Sequence, residues 1–223
     1  MMNPALLVLA DGRFPAGGHA HSGGAEAAVK AGRIHDTATL QAFCLGRLHT
    51  AGLTAAALAA AAAGGLDPLR ADAAADARIP SPALRATSRR LGRQLIRAAR
   101  TVWPDPALDR LATDRPRGAH QPVVLGLTAA AAGLVPADAA SAAAYESVSG
   151  PVTACVRLLG LDPFQATAVL ARLAEPLAEV TARAVHAATE AHTDIDALPA
   201  ASAPLLDLYA EQHAAWTMRL FAS

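Results

Sequence analysis

Apolar residues recur along this chain every three to four positions and almost nowhere every second position, which predicts helices and no sheet. In the run SPALRATSRRLGRQLIRAARTVW, Leu84, Leu91, Leu95 and Val102 fall on one stripe at spacings of seven, four and seven. Ser81 is the N-cap of that helix, Pro82 takes its first position, and Pro104 lies beyond its end. Asp36 or Thr37 caps an earlier helix that runs through ATLQAFCLGRLHTAGLTAAALAAAAA and stops at Gly64-Gly65. HQPVVLGLTAAAAGL is another, starting at Pro122 and closing near Gly133; a further one spans about Ala137 to Leu159 and ends at Gly160.

Asp162-Pro163 opens a long helix that turns Val169, Leu173, Leu177, Val180 and Ala184 inward. Arg172, Glu175, Glu179, Arg183 and Glu190 lie on its other side. Pro176 falls inside it and predicts a kink, since an interior proline costs about 3 kcal/mol unless the packing accommodates it. The last helix is expected over Pro204 to Phe221, with Leu205, Leu208, Trp216, Leu220 and Phe221 as an apolar set near the chain end. Gly64 to Pro82 and Trp103 to Pro122 read as loops. Neither resembles an inter-domain linker and no internal repeat is present, so the expectation is one all-α domain over 1–223, with about seven to ten helices.

The composition suits a buried core: 53% of the 223 residues are hydrophobic and 17% charged. Formal net charge is zero, which argues against bulk nucleic-acid binding. Lys30 is the only lysine, a bias shared with the abundant alanine that carries no functional information. Cys44 and Cys155 lack metal-site spacing and read as buried reduced thiols of a cytoplasmic protein. MMNPALLVLADGRFP has no basic n-region and is broken by Asp11, so it is a poor signal peptide, and AGLTAAALAAAAAGGL is too short to span a membrane.

Candidate chemistry concentrates in FPAGGHAHSGGAE, Phe14 to Glu26. Gly18 and Gly23 have the spacing of a Walker loop, but Gly24-Ala25 follow where Lys and Ser/Thr must reach phosphate and magnesium. AHSGG resembles a nucleophile elbow around Ser22, yet that turn needs a parallel sheet beneath it. His19 and His21 offer two imidazoles for nickel, zinc or copper without a nearby third ligand, and local packing is the alternative. The segment then reads as a tight turn followed by a helix start with Ser22 as N-cap. On the later helix Arg85, Arg89, Arg93 and Arg97 recur every four residues, with Arg90 and Arg100 nearby; beside a solvated face, an acidic protein partner is the functional reading.

The same opening segment is similar to the N-terminal signature of the urease accessory protein F (UreF) family, roughly L-P-x-G-[aromatic]-x-H-S-x-G-L-E. SRRLGRQLIRAA looks like that family's S-R-x-x-G-R-x-L-L segment, HQPVVLGLTAAAAGL like its H-x-P-V-x-x-G, and VRLLGLDPFQATAVL like its R-L-x-x-L-G-x-x-x-x-Q. HAAWTMRLFAS resembles the closing H-E-x-x-x-x-R-L-F-x-S. Five segments in order over nearly the whole chain make the match specific.

What the resemblance implies is a non-enzymatic urease maturation adaptor that binds a UreD/UreH-type protein and recruits a UreG-type GTPase. The complex, not a tightly bound cofactor of this chain, handles nickel for the urease apoprotein. A homodimer is implied; nucleic acid and membrane are not. A direct nickel-binding module on His19 and His21 is the alternative. The partner-binding residues carried over are His19, His21, Ser22, Glu26, Trp216, Arg219 and Phe221, with Pro15, Gly17, Gly18, Gly24, Arg89, Gly92, Arg93, Gly126 and Arg157 as the structural signature. Three positions depart from the pattern: His19 replaces an aromatic, Ala25 a leucine and Ala214 a glutamate. The apolar chain end docks either on a partner or on the protein's own core.

Overall fold

The computed structural model describes residues 3–221, His19 by its backbone alone. The described residues form twelve α-helical segments and no strand. In order they are α1 (Pro4–Leu9), α2 (Ala25–Lys30), α3 (Thr37–Arg47), α4 (Leu53–Ala63), α5 (Pro68–Arg78) and α6 (Pro82–Val102). There follow α7 (Pro106–Asp114), α8 (Gln121–Ala131), α9 (Pro136–Leu159), α10 (Pro163–Arg172), α11 (Ala174–Glu190) and α12 (Pro204–Ala214). A π turn, Leu48–Gly52, joins α3 to α4.

Several caps are those the residue types call for. The Asp36 carboxylate accepts the Thr39 N–H at 2.8 Å, and the Thr39 hydroxyl oxygen accepts the Asp36 N–H at 3.1 Å. Ser81 Oγ accepts the Leu84 N–H at 3.1 Å. Gly160 ends α9 at φ 65°, in the left-handed region that glycine adopts without strain.

Both segments read as loops contain a helix, which takes the number of helices above the expected seven to ten. Asp67 caps α5 by accepting the Arg70 N–H at 2.8 Å, and Asp105 caps α7 by accepting the Ala107 N–H at 2.7 Å. Each is an Asp-Pro start of the same kind as Asp162-Pro163. The helix expected from Asp162 is two helices that break at Leu173. The break puts Pro176 in the first turn of α11, where an N–H would have no intrahelical acceptor, so the ring costs no hydrogen bond and makes no kink. Val169, Leu173, Val180 and Ala184 are buried as expected. On α6 the buried residues are Gly92, Leu95, Ile96 and Ala99, while Val102 at its end is exposed. The last helix stops at Ala214, seven residues before Phe221, for a reason given below.

The fold is built around α4, whose residues from Ala56 to Ala62 are all buried. A helix apolar on every side must be covered on every side, and α8, α9 and α11 supply that cover. Small side chains let the backbones approach closely. A Cβ on Gly126 of α8 would lie 2.2 Å from the Ala59 carbonyl oxygen of α4. Where α3 and the π turn cross α9, Pro151 lies inside α9 and removes the N–H that would bond the Ser147 carbonyl. Arg47 Nε donates to that orphaned oxygen at 2.8 Å. Cys44 and Cys155 are buried free thiols, pushed up by burial to about 12 and about 11.

Gly126→Val should destabilise the protein by about 1–3 kcal/mol or more, since no rotamer change moves the α4 backbone aside. Gly46→Ala, in α3 with open space around its Cβ position, should instead stabilise by roughly 0.4–1 kcal/mol. Thermal denaturation of the two variants checks both signs.

Candidate functional site

Two polar assemblies gather most of the residues singled out in the sequence. The first joins the N-terminal segment to the chain end. Phe14 stacks on Trp103 at 5.8 Å, anchoring the segment to the C-terminal end of α6. Gly17, at φ 80°, turns the chain under Gln94, whose Oε1 would lie 1.7 Å from a Cβ at that position. Gly18 begins a short 3-10 turn, and Pro15 is exposed. Gly23 and Gly24 both have positive φ and reverse the chain into α2.

The N-cap position of α2 is Gly24, not Ser22. Ser22, fully buried, still satisfies an end of the helix: its Oγ accepts the Glu26 N–H at 3.3 Å. One turn of α2 then presents Glu26 and Lys30, four residues apart, toward the chain end.

Glu26 is 8% exposed, and its carboxylate accepts three hydrogen bonds from the C-terminal segment. Leu220 N–H donates to Oε1 at 2.8 Å, Phe221 N–H to Oε2 at 3.1 Å, and His213 Nε2 to Oε2 at 2.8 Å. Burial pushes the Glu26 carboxyl up, but these three donors together more than offset it and hold it below the usual carboxylate value. The Lys30 ammonium sits 3.8 Å over the Trp216 ring, which tilts against His213 at 4.8 Å. The Arg157 guanidinium lies 5.5 Å from the buried Phe221 ring. This is why the last helix ends early. The N–H groups of Leu220 and Phe221 go to a carboxylate 194 and 195 residues away in sequence, not to carbonyls one turn back.

The chain end therefore docks on its own core. Arg219 is exposed and forms no ion pair among the described residues. Leu205, Leu208, Met218 and Leu220 of this C-terminal stretch remain on the outside, at 49%, 60%, 87% and 74% exposure.

The second assembly locks α5, α6 and the segment before α8 together. Asp72 of α5, 1% exposed, accepts from the His120 N–H at 2.8 Å, Arg115 Nε at 2.7 Å and Arg89 Nη1 at 3.2 Å. The fully buried His120 ring lies between Ser88 Oγ at 3.0 Å and Asp76 Oδ1 at 2.9 Å. Burial holds its pKa below the usual value against the nearby carboxylates, so the ring is neutral at pH 7. The acceptor Asp76 assigns the ring proton to Nε2, which leaves Nδ1 to accept the Ser88 O–H.

That order of Ser, His and Asp is the order of a nucleophilic relay, but Ser88 Oγ is already engaged by the Gln121 N–H at 3.1 Å and sits mid-helix. Its evident work is to clamp. A Cβ on Gly92 would lie 2.0 Å from the Ala119 carbonyl oxygen, and Arg93 Nη1 donates to the Arg117 carbonyl at 2.6 Å. The S-R-x-x-G-R pattern thus has a packing cause residue by residue, one that the sequence reading missed because Asp72 and Asp76 lie in the supposed loop.

Between these assemblies lies a cavity of about 520 Å3, lined among others by His21, Arg47, Ser88, Gln121, Glu146 and Phe221. Burial pushes the Glu146 carboxyl up to about 7, and the Gln121 side chain amide, donating at 2.7 Å, opposes the shift only in part. Among the described residues no three His, Cys, Asp or Glu side chains are grouped to hold a metal ion, and the His19 side chain lies outside what is described.

Comparison with known proteins bears on this arrangement. The UreF family model matches residues 34–174. The chain is 45% identical over 222 residues to the "Urease accessory protein UreF" of Mycolicibacterium vanbaalenii, covering 98% of this chain and 97% of that one. The proteins of the same name from Mycobacterium sp. strain JLS and from Mycobacterium tuberculosis H37Rv are 43% and 42% identical over 219 residues, with the same coverage. The chain belongs to the UreF family. The family-model match takes in the buried clamp on α6 but neither the Phe14 to Glu26 segment nor the docked chain end; the alignments with whole UreF relatives cover 98% of the chain. Members carrying the name are accessory proteins rather than urease itself, and no helix among the described residues is long and apolar enough to cross a membrane.

Glu26→Gln should weaken the docked chain end by about 1–3 kcal/mol, the range for leaving buried donors without their charged acceptor. Faster amide hydrogen exchange at Leu220 and Phe221 reads this. Because the folded Glu26 pKa is depressed, docking is fully stabilised above the free carboxylate's range and weakens as pH falls through the folded value. Trp216 fluorescence in a Trp103→Phe background follows that acid release. Glu146 has the opposite sign. Its raised pKa makes the fold progressively less stable from pH 5 to pH 8, so Glu146→Gln should gain more in Tm at pH 8 than at pH 5.

Proposed function

We propose that this chain is a non-enzymatic adaptor of urease maturation in the cytoplasm. It binds a UreD/UreH-type accessory protein and recruits a UreG-type GTPase, so that the assembly inserts nickel into the urease apoprotein and the adaptor modulates the partner's GTP hydrolysis. Nickel is the cargo of the complex, and the adaptor functions as a homodimer.

The observation that carries the reading is the chain end. Its inner side is held by Glu26, His213, Lys30 and Arg157, while Leu205, Leu208, Met218 and Leu220 face outward. A solvated surface does not need four large apolar side chains at one terminus, whereas an interface core does. The latch holds them in a fixed arrangement, so a partner binding there has less ordering entropy to overcome. His21 and Phe221 line one cavity, which supports treating the N-terminal segment and the chain end as one region.

Leu208→Glu with Leu220→Glu leaves the backbone donors to Glu26 in place and should reduce retention of the UreD/UreH-type protein by roughly 30-fold, the equivalent of about 2 kcal/mol for an interface anchor. Co-expression followed by pull-down measures it, with circular dichroism to show an unchanged helical fold. Urease activation should fall in parallel. Wild-type partner retention and wild-type activation in this variant, and in Arg219→Ala, would refute the reading.

A further inference from the structure

Six arginines and no carboxylate lie on the 21 residues of α6. Two of them are half-buried: Arg89 sits in the buried clamp, and Arg85 Nη1 donates to the Ile79 and Pro80 carbonyls at 2.6 Å and 2.9 Å. The other four, Arg90, Arg93, Arg97 and Arg100, stand at i, i+3, i+7 and i+10 and are all exposed. They form one row along the outer face, about 15 Å long at roughly 1.5 Å of rise per residue. Arg93, by donating to the Arg117 carbonyl, brings the exposed Arg117 beside the row.

Compensation within the chain is slight. Arg100 Nε pairs with Asp109 at 2.5 Å, and Arg90 Nη2 meets only the Thr87 hydroxyl at 2.9 Å. Arg93 and Arg97 have no ion pair among the described residues. An ordinary solvated helix face mixes its signs, as α11 does with Glu179–Arg183 at 3.7 Å. Like charges three and four apart oppose the helix that carries them, and among the described residues only the Arg100–Asp109 pair offsets the row. The formal net charge of the whole chain is zero, so the row is a local excess that acidic residues elsewhere balance.

We propose that Arg90, Arg93, Arg97, Arg100 and Arg117 dock an acidic surface of a partner protein, one presenting carboxylates over the length of the row. The planar guanidinium forks pair with carboxylates two bonds at a time, and a bounded row favours a bounded acidic face over a polyanion that gains from a wide field. The row shares no residue with the apolar chain end. It rests on the adaptor reading only in requiring a protein partner.

The test is Arg90→Glu with Arg97→Glu, neither of which carries a buried contact, against Arg33→Glu with Arg70→Glu, an equal charge change at exposed sites elsewhere. With the two accessory proteins co-expressed, the row variant should lose one of them on the order of tenfold while keeping the other, and added salt should weaken the same contact in the wild type. The control pair should keep both. Retention of both partners by the row variant overturns the inference and leaves the apolar-surface reading standing. If the wild type retains neither partner, the adaptor reading falls. A helical peptide with Glu at i, i+3, i+7 and i+10 then decides the row by itself. Wild-type binding lost in the row variant upholds it; no binding, or tighter binding of duplex DNA through the same arginines, overturns it.

Discussion

A helix with no outward face organises this protein. From Ala56 to Ala62 every side chain of α4 is buried, so three neighbours must close round it, and glycine at Gly126 sets how near α8 comes. Alanine makes the approach close but contributes little apolar area per residue, and a core of this kind holds its outer helices weakly by burial alone. The outer elements are accordingly pinned by polar contacts. Arg47 takes the carbonyl freed by Pro151, the Asp72 and His120 assembly ties α5, α6 and α8 together, and the Ser81 hydroxyl with the Ala83 N–H holds Glu211 of α12.

The Glu26 latch extends that strategy to the chain end. A single carboxylate satisfies two main-chain donors and an imidazole, and so converts the last seven described residues from a helical continuation into a strap laid over α2. Lys30 and Arg157 add cationic contacts to the two aromatic rings of the strap. The consequence for function is a surface with a fixed inner side and an apolar outer side, next to a cavity whose one strongly perturbed acid, Glu146, changes charge near neutrality. The arginine row of α6 is made of other residues. On the proposed function, the apolar surface and the cationic row would each serve a different partner.

Part of the site is legible in the sequence. Glu26, His213, Trp216 and Phe221 fall in segments that resemble family signatures, and the structure brings those segments together through hydrogen bonds and ring contacts. The Ser88, Arg89, Gly92 and Arg93 run is visible as a pattern without its cause, since its partners, Asp72 and Asp76, sit in α5, where the sequence pattern predicts a loop. Its Asp-Pro start was present in the sequence, as it was for α7, and carried the same information as the start at Asp162. The regular arginine spacing was also visible, but which arginines turn inward was not.

By itself, the sequence determined the helical class, most helix starts and the buried faces of the strongly periodic segments. Those features are set by residues within one or two turns of each other, through caps, proline positions and the spacing of apolar side chains. Only the tertiary structure decided where the last helix stops, why Pro151 is tolerated inside α9, and that the chain end folds back on its own core. In each case a main-chain group exchanges a local partner for one more than ninety residues distant. Local pattern carries no record of an acceptor that far away; packing supplies it.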